Sequence, residues 1–166
     1  MKKNFGYNVW EIVIAISIIA IFALCIGFVL GFWKDKANDS QKVSDIRKIR
    51  QSLELYYDKY AEYPGNLFEL VEDGLLTNLP TPPIGSIQKE YIYVPLGENG
   101  FCTNYHIGIP MKLSGTEYLK GDKDAYKQVI CRKATSKDFD GTADNCSSDA
   151  SPKGIKSDSC YDLNAF

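Results

Sequence analysis

The amino-acid sequence predicts an α+β protein. A long N-terminal α-helix, its first half transmembrane and its second half amphipathic, is expected to pack on a small antiparallel β-sheet with disulfide-stapled C-terminal loops. Residues 12–33 contain no charged side chain, and residues 34–63 contain neither glycine nor proline. The rest of the chain has short β-like runs and four of the five cysteines. These three observations define the predicted fold class.

Length and charge limit the function. A chain of 166 residues holds at most one globular unit with an appendage. Its 19 basic and 21 acidic side chains lack the basic excess of a nucleic-acid binder. The single histidine, and the absence of a nucleotide-binding glycine loop, a nucleophile elbow or a zinc-protease motif, point away from an enzyme. We therefore expect neither catalysis nor nucleic-acid binding.

The uncharged segment 12–33 is long enough to cross a bilayer, which takes about 20 residues of α-helix. Its length exceeds the apolar core of a secretory signal peptide, and no small-residue cleavage site ends it. Lys2 and Lys3 precede it and favour a cytoplasmic N-terminus, although two lysines that follow the segment weaken this asymmetry. Residues 34–166 are thus expected outside the cytoplasm.

Glu11 is unusual for a simple membrane anchor. A carboxylate in an apolar helix costs about 2.5–3.5 kcal/mol at the bilayer centre and less near an end, so it usually has a partner or reaches the interface. A short basic leader ends at Gly6, the aromatic Tyr7 follows, and Glu11 is the fifth residue after the glycine. One explanation is an ordinary anchor whose glutamate extends into the head groups.

The same pattern resembles the class III signal of type IV pilins and type II secretion pseudopilins. The resemblance implies cleavage after Gly6 by a prepilin peptidase, methylation of the new amine on Tyr7, and a fibre built by the helix that follows. Glu11 would then meet the terminal amine of a neighbouring subunit, since two buried charges are tolerated best as a pair. The leader would be residues 1–6, and the transmembrane and assembly helix residues 7–33.

An amphipathic helix is predicted over residues 34–63. Its apolar stripe includes Val43, Ile46, Ile49 and Leu53, at steps of three and four. Proline and glycine at positions 64 and 65 end it. A short helix, Leu67–Asp73, is expected next, with Asn66 as N-cap and Gly74 as its C′ residue. This region is similar to that of major pseudopilins.

The globular head is predicted to comprise residues 64–166. Three runs rich in Tyr, Ile and Val are bounded by turn residues and are expected to be strands: Glu90–Val94, Phe101–Ile109 and Ala125–Cys131. The first two are close enough in sequence to form an antiparallel hairpin. A sheet of this kind on the amphipathic helix gives a pilin-like architecture.

The cysteines predict covalent links in the head. Cys25 falls in the membrane helix and is expected to be a packing residue. Four cysteines outside the cytoplasm allow three disulfide connectivities, and Cys102–Cys131 with Cys146–Cys160 is the favoured one. Zinc is the alternative, although no CxxC spacing is present.

A cation site is predicted, as an alternative to a plain turn, near Asp138, Asp140 and Asp144. Carboxylates around a glycine turn suit Ca²⁺, but the EF-hand pattern is not met and Asp-Gly also marks an ordinary turn. The resemblance to major pseudopilins implies calcium in the C-terminal loops. Calcium is the one cofactor considered.

The expected function is a structural subunit of a type IV pilus-like fibre or a type II secretion pseudopilus. The implied partners are further copies in a helical homopolymer, minor pilins, a prepilin peptidase and methyltransferase, and an inner-membrane assembly platform with its ATPase. The chain would be a single-pass protein of the cytoplasmic membrane before assembly, and part of a periplasmic or extracellular fibre afterwards. The alternative is a bitopic, membrane-anchored ligand-binding domain outside the cytoplasm.

Overall fold

The computed structural model describes residues 8–98, 100–113, 117–125, 128–134, 137–147 and 159–165. The chain divides into two compact units, Met1–Lys36 and Ala37–Phe166. The helices are α1, Val9–Tyr60, and α2, Glu69–Glu72, and the strands are β1, Ile92–Leu96, β2, Asn104–Pro110, and β3, Cys160–Asn164. Short 3₁₀ turns cover Glu117–Lys120 and Asp144–Cys146. The predicted α+β class, with a long apolar N-terminal helix and a small antiparallel sheet, is confirmed.

Helix α1 ends three residues before the position that the sequence predicts. Ala61 adopts a left-handed backbone with φ of 56°, and its N–H still donates to the carbonyl of Tyr57 at 2.7 Å. Pro64 disfavours helical geometry at Tyr63, so the chain must leave the helix before it. The buried Tyr63 instead donates its backbone N–H to the carbonyl of Cys102. The end of α1 is thereby joined to the connection before β2.

The second half of α1 carries the predicted apolar stripe into the core of the head. Val43, Ile46, Ile49 and Leu53 are at most 2% exposed. They belong to one core cluster with alternate residues of the sheet, namely Tyr105, Ile107, Ile109, Tyr161 and Leu163. The predicted apolar stripe is confirmed, because one face of the helix covers one face of the sheet.

The sheet has the order β1-β2-β3 with antiparallel neighbours. Strand β2 is central, and both of its faces are buried. One face contacts the α1 core, and the other lies beside a second cluster formed by Val94, Leu96, Phe139, Cys146 and Cys160. This double burial explains why buried and exposed residues do not alternate along β2.

The predicted third strand, Ala125–Cys131, is wrong. In its described part only Ile130 forms a bridge, with Leu96. The backbone N–H groups of Ala125 and Gln128 donate to carboxylates instead of to a neighbouring strand. The third strand is Cys160–Asn164, which the sequence analysis missed because it contains a buried aspartate. The first two predicted strands exist, but β1 begins and ends two residues later than predicted.

The short helix is smaller than predicted, covering Glu69–Glu72 rather than Leu67–Asp73. The Asn66 Oδ1 accepts the N–H of Phe68 at 2.9 Å and so forms a turn before the helix instead of capping it directly. Gly74 follows with φ of +72°, as expected for a C′ glycine.

Both predicted disulfides are confirmed. Cys102–Cys131 links the connection before β2 to the segment that replaces the predicted third strand, and Cys146–Cys160 links a 3₁₀ turn to the start of β3. All four of these cysteines are buried. The C-terminal loops are therefore fixed covalently to the sheet.

Gly108 is required by the packing on the second face of the sheet. A Cβ at this position would lie 2.7 Å from Cζ of Phe139, whereas a Cβ on Gly121 would have no neighbour within 4 Å. We expect Gly108→Ala to lower the free energy of unfolding by about 1–3 kcal/mol, the usual effect of overpacking. Gly121→Ala is the matched control and should be nearly neutral in thermal unfolding of the full chain. Equal melting temperatures for the two variants would contradict this account.

Candidate functional site

The N-terminal part of α1 is apolar and uncovered. Every described side chain from Val9 to Lys34 is exposed, including Leu24 at 77%. The helix is long and apolar enough to span a membrane, a test that a signal sequence or a buried core helix also passes. A core helix would be covered by the protein, and none of the most apolar window is buried. The environment that matches this surface is lipid, or other helices of the same kind.

Aromatic side chains flank this segment. Trp10 lies near its start and Trp33 near its end, and the Nζ of Lys36 lies 5.7 Å from the centroid of the Trp33 ring. At 1.5 Å per residue the two tryptophans are roughly 35 Å apart along the helix. A hydrocarbon core is about 30 Å thick, and tryptophan favours its two interfaces. The spacing fits a helix that crosses a bilayer once.

Glu11 lies in the first turn of α1. Its backbone N–H donates to the carbonyl of Asn8 at 2.9 Å. A carboxylate at this end of a helix interacts favourably with the positive end of the macrodipole. The predicted processing residues, Gly6 and Tyr7, lie outside the described residues, so cleavage and methylation stay predictions.

In the head, a buried ion pair joins α1 to the end of β2. Lys42 Nζ donates to Asp39 Oδ1 at 3.0 Å and to the carbonyl of Pro110 at 2.8 Å. The carboxylate of Asp39 also accepts the backbone N–H groups of Lys112 and Leu113. Both charged side chains are at most 3% exposed. Such a pair gives a specific register more than net stability, since burial of the two charges offsets much of their attraction.

Tyrosine hydroxyls make further links from the head to carboxylates of α1. Glu54 accepts from Tyr63 at 3.1 Å and from Tyr105 at 3.2 Å, and Asp45 accepts from Tyr91 at 2.9 Å. Burial and the adjacent carboxylates raise the pKa of each of these tyrosines above the ordinary value of 10.0. The hydroxyls therefore stay protonated donors at neutral pH.

One tyrosine joins α1 to the segment around α2. Tyr56 donates to Glu69 at 3.0 Å, and burial followed by this hydrogen bond raises the pKa of Tyr56 to about 12. Glu69 also accepts the backbone N–H of Gly65 and the amide of Asn66. A single carboxylate thus fixes the turn that follows the end of α1.

A buried network of Asp138, His106 and Asp162 lies on the second face of the sheet. His106 on β2 is 0% exposed, and each of its ring nitrogens lies 2.8 Å from one carboxylate. The ring stacks on Phe139, with centroids 3.7 Å apart. Asp138 accepts the backbone N–H groups of Gln128 and Phe139. The network therefore joins the central strand to the loops on both sides of it.

The arrangement favours the charged imidazolium. Burial alone lowers the pKa of His106, but hydrogen bonds to Asp138 and Asp162 outweigh it, so the pKa lies above its ordinary value of 6.5. A histidine that acts as a base needs a free ring nitrogen within reach of substrate. Both nitrogens of His106 face carboxylates, and the side chain is fully buried. Its chemistry is that of a structural cross-link.

The carboxylates predicted to hold calcium have other contacts. Asp138 belongs to the histidine network, and Asp140 Oδ1 accepts both the backbone N–H and the hydroxyl of Thr142, which is ordinary turn chemistry. The side chain of Asp144 lies outside the described part, so the predicted three-residue site stays a prediction.

A different acidic group comes together in the described structure. Oxygen atoms of Asp122, Asp124 and Asp162 lie within 4.8 Å of one another. An all-oxygen donor set suits a hard cation such as Ca²⁺. Asp162 already accepts the N–H groups of Asp124 and Ala125 as well as His106. Acidic groups of this kind are common without an ion, and we assign no metal to this one.

The histidine network was not predicted from the sequence, because no local sequence pattern joins its three residues. His106 is the single histidine of the chain, and Asp162 lies between Tyr161 and Leu163, both of which face the α1 core. The available signal was an aspartate placed between apolar residues at alternating positions. That pattern indicates a strand, but strand pairing decides which group the aspartate meets.

Comparisons with known proteins identify no relative. No family model, no curated protein and no solved structure matches this chain. The function therefore has to be inferred from its residues and their geometry.

The histidine network predicts a strong dependence of stability on Asp162. We expect Asp162→Ala to lower the free energy of unfolding by about 3–5 kcal/mol, because it leaves Nε2 of the buried His106 and two backbone N–H groups without an acceptor. Asp73→Ala removes a more accessible carboxylate that pairs with Lys59 and Tyr60, and should cost about 1 kcal/mol or less. Denaturant unfolding of the full chain in detergent compares them. Equal losses of unfolding free energy in the two variants would contradict this special role of Asp162.

The raised tyrosine pKa values predict alkaline destabilisation. The unfolded chain ionises its tyrosines near pH 10.0, whereas the folded chain ionises these buried tyrosines only at higher pH. Their contribution to the free energy of unfolding is therefore complete below pH 10.0. It falls as pH rises through the pKa values of the folded chain, which include about 12 for Tyr56. Tyrosinate absorbance and melting temperature should change together. Tyr105→Phe should make the decline shallower, and a melting temperature constant up to pH 12 would refute the prediction.

Proposed function

We propose that this chain is a structural subunit of a type IV pilus-like fibre or of a type II secretion pseudopilus. The observation that carries the proposal is the exposed, apolar N-terminal part of α1 with a lone carboxylate, Glu11, in its first turn. A helix of this kind needs lipid before assembly and neighbouring helices after it. Cleavage after Gly6 would place a cationic amine on Tyr7, next to the apolar helix.

Charge pairing between subunits gives Glu11 its role. An isolated carboxylate and an isolated amine are each costly in an apolar interior, and a contact that joins them removes both penalties. A misaligned subunit would leave both charges unpaired. Glu11 would therefore select the register of the incoming subunit, while the apolar surface supplies the attraction.

The construction of the head supports export. Its two disulfides persist in an oxidising compartment and would close loops around a modest core. The buried network joins those loops to the central strand, and the tyrosine links join the head to α1. Such a head suits the outer surface of a fibre that experiences mechanical load.

The proposed partners follow from processing, export and assembly of this kind. A prepilin peptidase and methyltransferase would process the N-terminus at the membrane. An inner-membrane platform with its ATPase would supply the work of extrusion, and minor pilins would join further copies of this chain. Before assembly the protein would lie in the cytoplasmic membrane with its head outside.

Processing can be tested by mass spectrometry of the protein extracted from membranes. We expect the mature chain to lack Met1–Gly6 and to carry one added methyl group on Tyr7. An intact N-terminus in cells with an active prepilin peptidase would contradict the proposal and favour the alternative, a bitopic anchor for a ligand-binding domain.

Assembly can be tested at Glu11. We expect Glu11→Ala to insert into the membrane normally yet to reduce fibre yield at least about tenfold, the effect of about 1.4 kcal/mol per added subunit. Ser17→Ala is the matched control in the same segment, since the Ser17 hydroxyl donates to its own helix at Val13. Sheared fibres are quantified by immunoblot against membrane-bound subunit. Wild-type yield from Glu11→Ala would refute the register role.

A further inference from the structure

Two asparagines of the chain occur in the pattern Asn-x-Ser, in which x is not proline. They are Asn38, followed by Ser40, and Asn145, followed by Ser147. This tripeptide is the acceptor for N-linked oligosaccharides, and it functions where it lies on the surface of a protein exported from the cytoplasm. The tripeptide alone is a weak signal, so the structural setting of each asparagine has to decide between the two.

Asn145 lies on the surface of the head. It is exposed and belongs to the short 3₁₀ turn Asp144–Cys146, whereas Ala143 before it and Cys146 after it are buried. The turn is therefore anchored on both sides of a side chain that reaches solvent. Ser147, the third residue of the tripeptide, is also exposed. This is the surface setting that an acceptor asparagine requires.

The backbone of this tripeptide is not helical. Asn145 has φ of 62° and ψ of 21°, Cys146 has φ of 51°, and Ser147 is extended with φ of −79° and ψ of 157°. Residues two apart do not face each other on an α-helix, whereas in a turn an asparagine side chain can approach the residue two positions later. The local conformation is therefore compatible with an asparagine amide and a serine hydroxyl that meet in the active site of a transferase.

Asn38 lacks these properties. It lies inside α1, and the middle residue of its tripeptide, Asp39, is buried and accepts the backbone N–H groups of Lys112 and Leu113. It is also five residues after Trp33, near the end of the apolar segment, so even an extended chain would keep it within about 18 Å of that residue. A helical tripeptide fixed in this way, and this near in sequence to the apolar segment, is a poor acceptor.

We infer that Asn145 carries an N-linked oligosaccharide. This inference rests on the part of the proposed function that places the head outside the cytoplasm. The donor is an oligosaccharide joined through C1 of its first sugar to a polyisoprenyl phosphate or diphosphate. The side-chain nitrogen of Asn145 forms the new bond to C1, the bond from C1 to the phosphate oxygen breaks, and the lipid phosphate leaves with the electron pair. The amide proton passes to a base of the transferase.

The disulfide beside the acceptor sets the order of events. Cys146 is the middle residue of the tripeptide and is bonded to Cys160. The carbonyl of Ser147 accepts the backbone N–H of Asp140 at 3.1 Å. A transferase has to draw the tripeptide into its active site, and both links oppose this once they have formed. Oligosaccharide transfer therefore precedes closure of this disulfide, a reaction that takes seconds or longer.

Glycopeptide mass spectrometry of the chain from cells that naturally produce it tests the inference. After reduction, trypsin releases residues 138–153, in which Asn145 is the only asparagine. The peptide 37–42 contains Asn38 and is the internal comparison. We expect an added oligosaccharide mass on the first peptide and none on the second, and release by an N-glycan amidase should convert Asn145 into aspartate. An unmodified peptide 138–153, or a sugar only on one of its serines, overturns the inference.

Matched variants at Ser147 separate oligosaccharide transfer from folding. Ser147→Ala should abolish the oligosaccharide because the tripeptide loses its hydroxyl, whereas Ser147→Thr keeps a hydroxyl and should keep the oligosaccharide. Asn145→Gly should also abolish it while preserving the left-handed backbone, which glycine adopts without strain. Mapping of both disulfides in every variant shows whether the head has folded. An oligosaccharide that persists on residues 138–153 of Ser147→Ala contradicts the inference.

The order of events is tested with Cys160→Ser. Without its disulfide partner the tripeptide stays accessible for longer, so the share of chains modified at Asn145 should be at least that of the natural chain. A lower share overturns the proposed order.

The outcomes separate this inference from the proposed function. An unmodified Asn145 in fibres whose subunits have lost Met1–Gly6 overturns the oligosaccharide and leaves the subunit assignment intact. An intact N-terminus contradicts the subunit assignment, whatever Asn145 carries.

Discussion

The arrangement of the head depends on one buried carboxylate, Asp162. Its oxygens accept from His106 on the central strand and from the backbone N–H groups of Asp124 and Ala125. Without these donors the aspartate would be a buried charge in the middle of β3, and the loop would have unpaired N–H groups. Because each buried polar group needs a partner, Asp162 fixes the positions of β3, of the loop at Asp124 and Ala125, and of His106 relative to one another.

Asp138 repeats this principle on the other side of His106. It accepts N–H groups of Gln128 and Phe139, and Phe139 covers the imidazole where Gly108 leaves space. The described parts of the two loops on the second face of the sheet are thus held by carboxylates. With the disulfides, these links give a modest core a defined shape.

Helix α1 has two parts whose surfaces differ. From residue 37 onward it buries one stripe against the sheet and makes specific polar contacts through Asp39, Lys42 and Glu54. From Ile12 to Trp33 its described side chains carry no charge and are exposed. The proposed fibre subunit would need this division, because its helix would have to leave lipid without disturbing the fold of the head. In the proposed fibre, the charge of Glu11 would be a means of recognition, since apolar contacts alone have little directional preference.

The sequence by itself determined the local features. The uncharged run, the apolar stripe from Val43 to Leu53 and the stop before Pro64 follow from periodicity and backbone sterics, which depend on nearby residues. The sequence also favoured the observed cysteine pairing among three connectivities, but only the structure decided it. Tertiary structure decided what long-range pairing controls. It placed the third strand at Cys160–Asn164, gave the described residues of the predicted strand 125–131 only one bridge, and brought His106 into contact with two aspartates. These depend on hydrogen-bond partners far away in sequence, for which a local pattern carries no information.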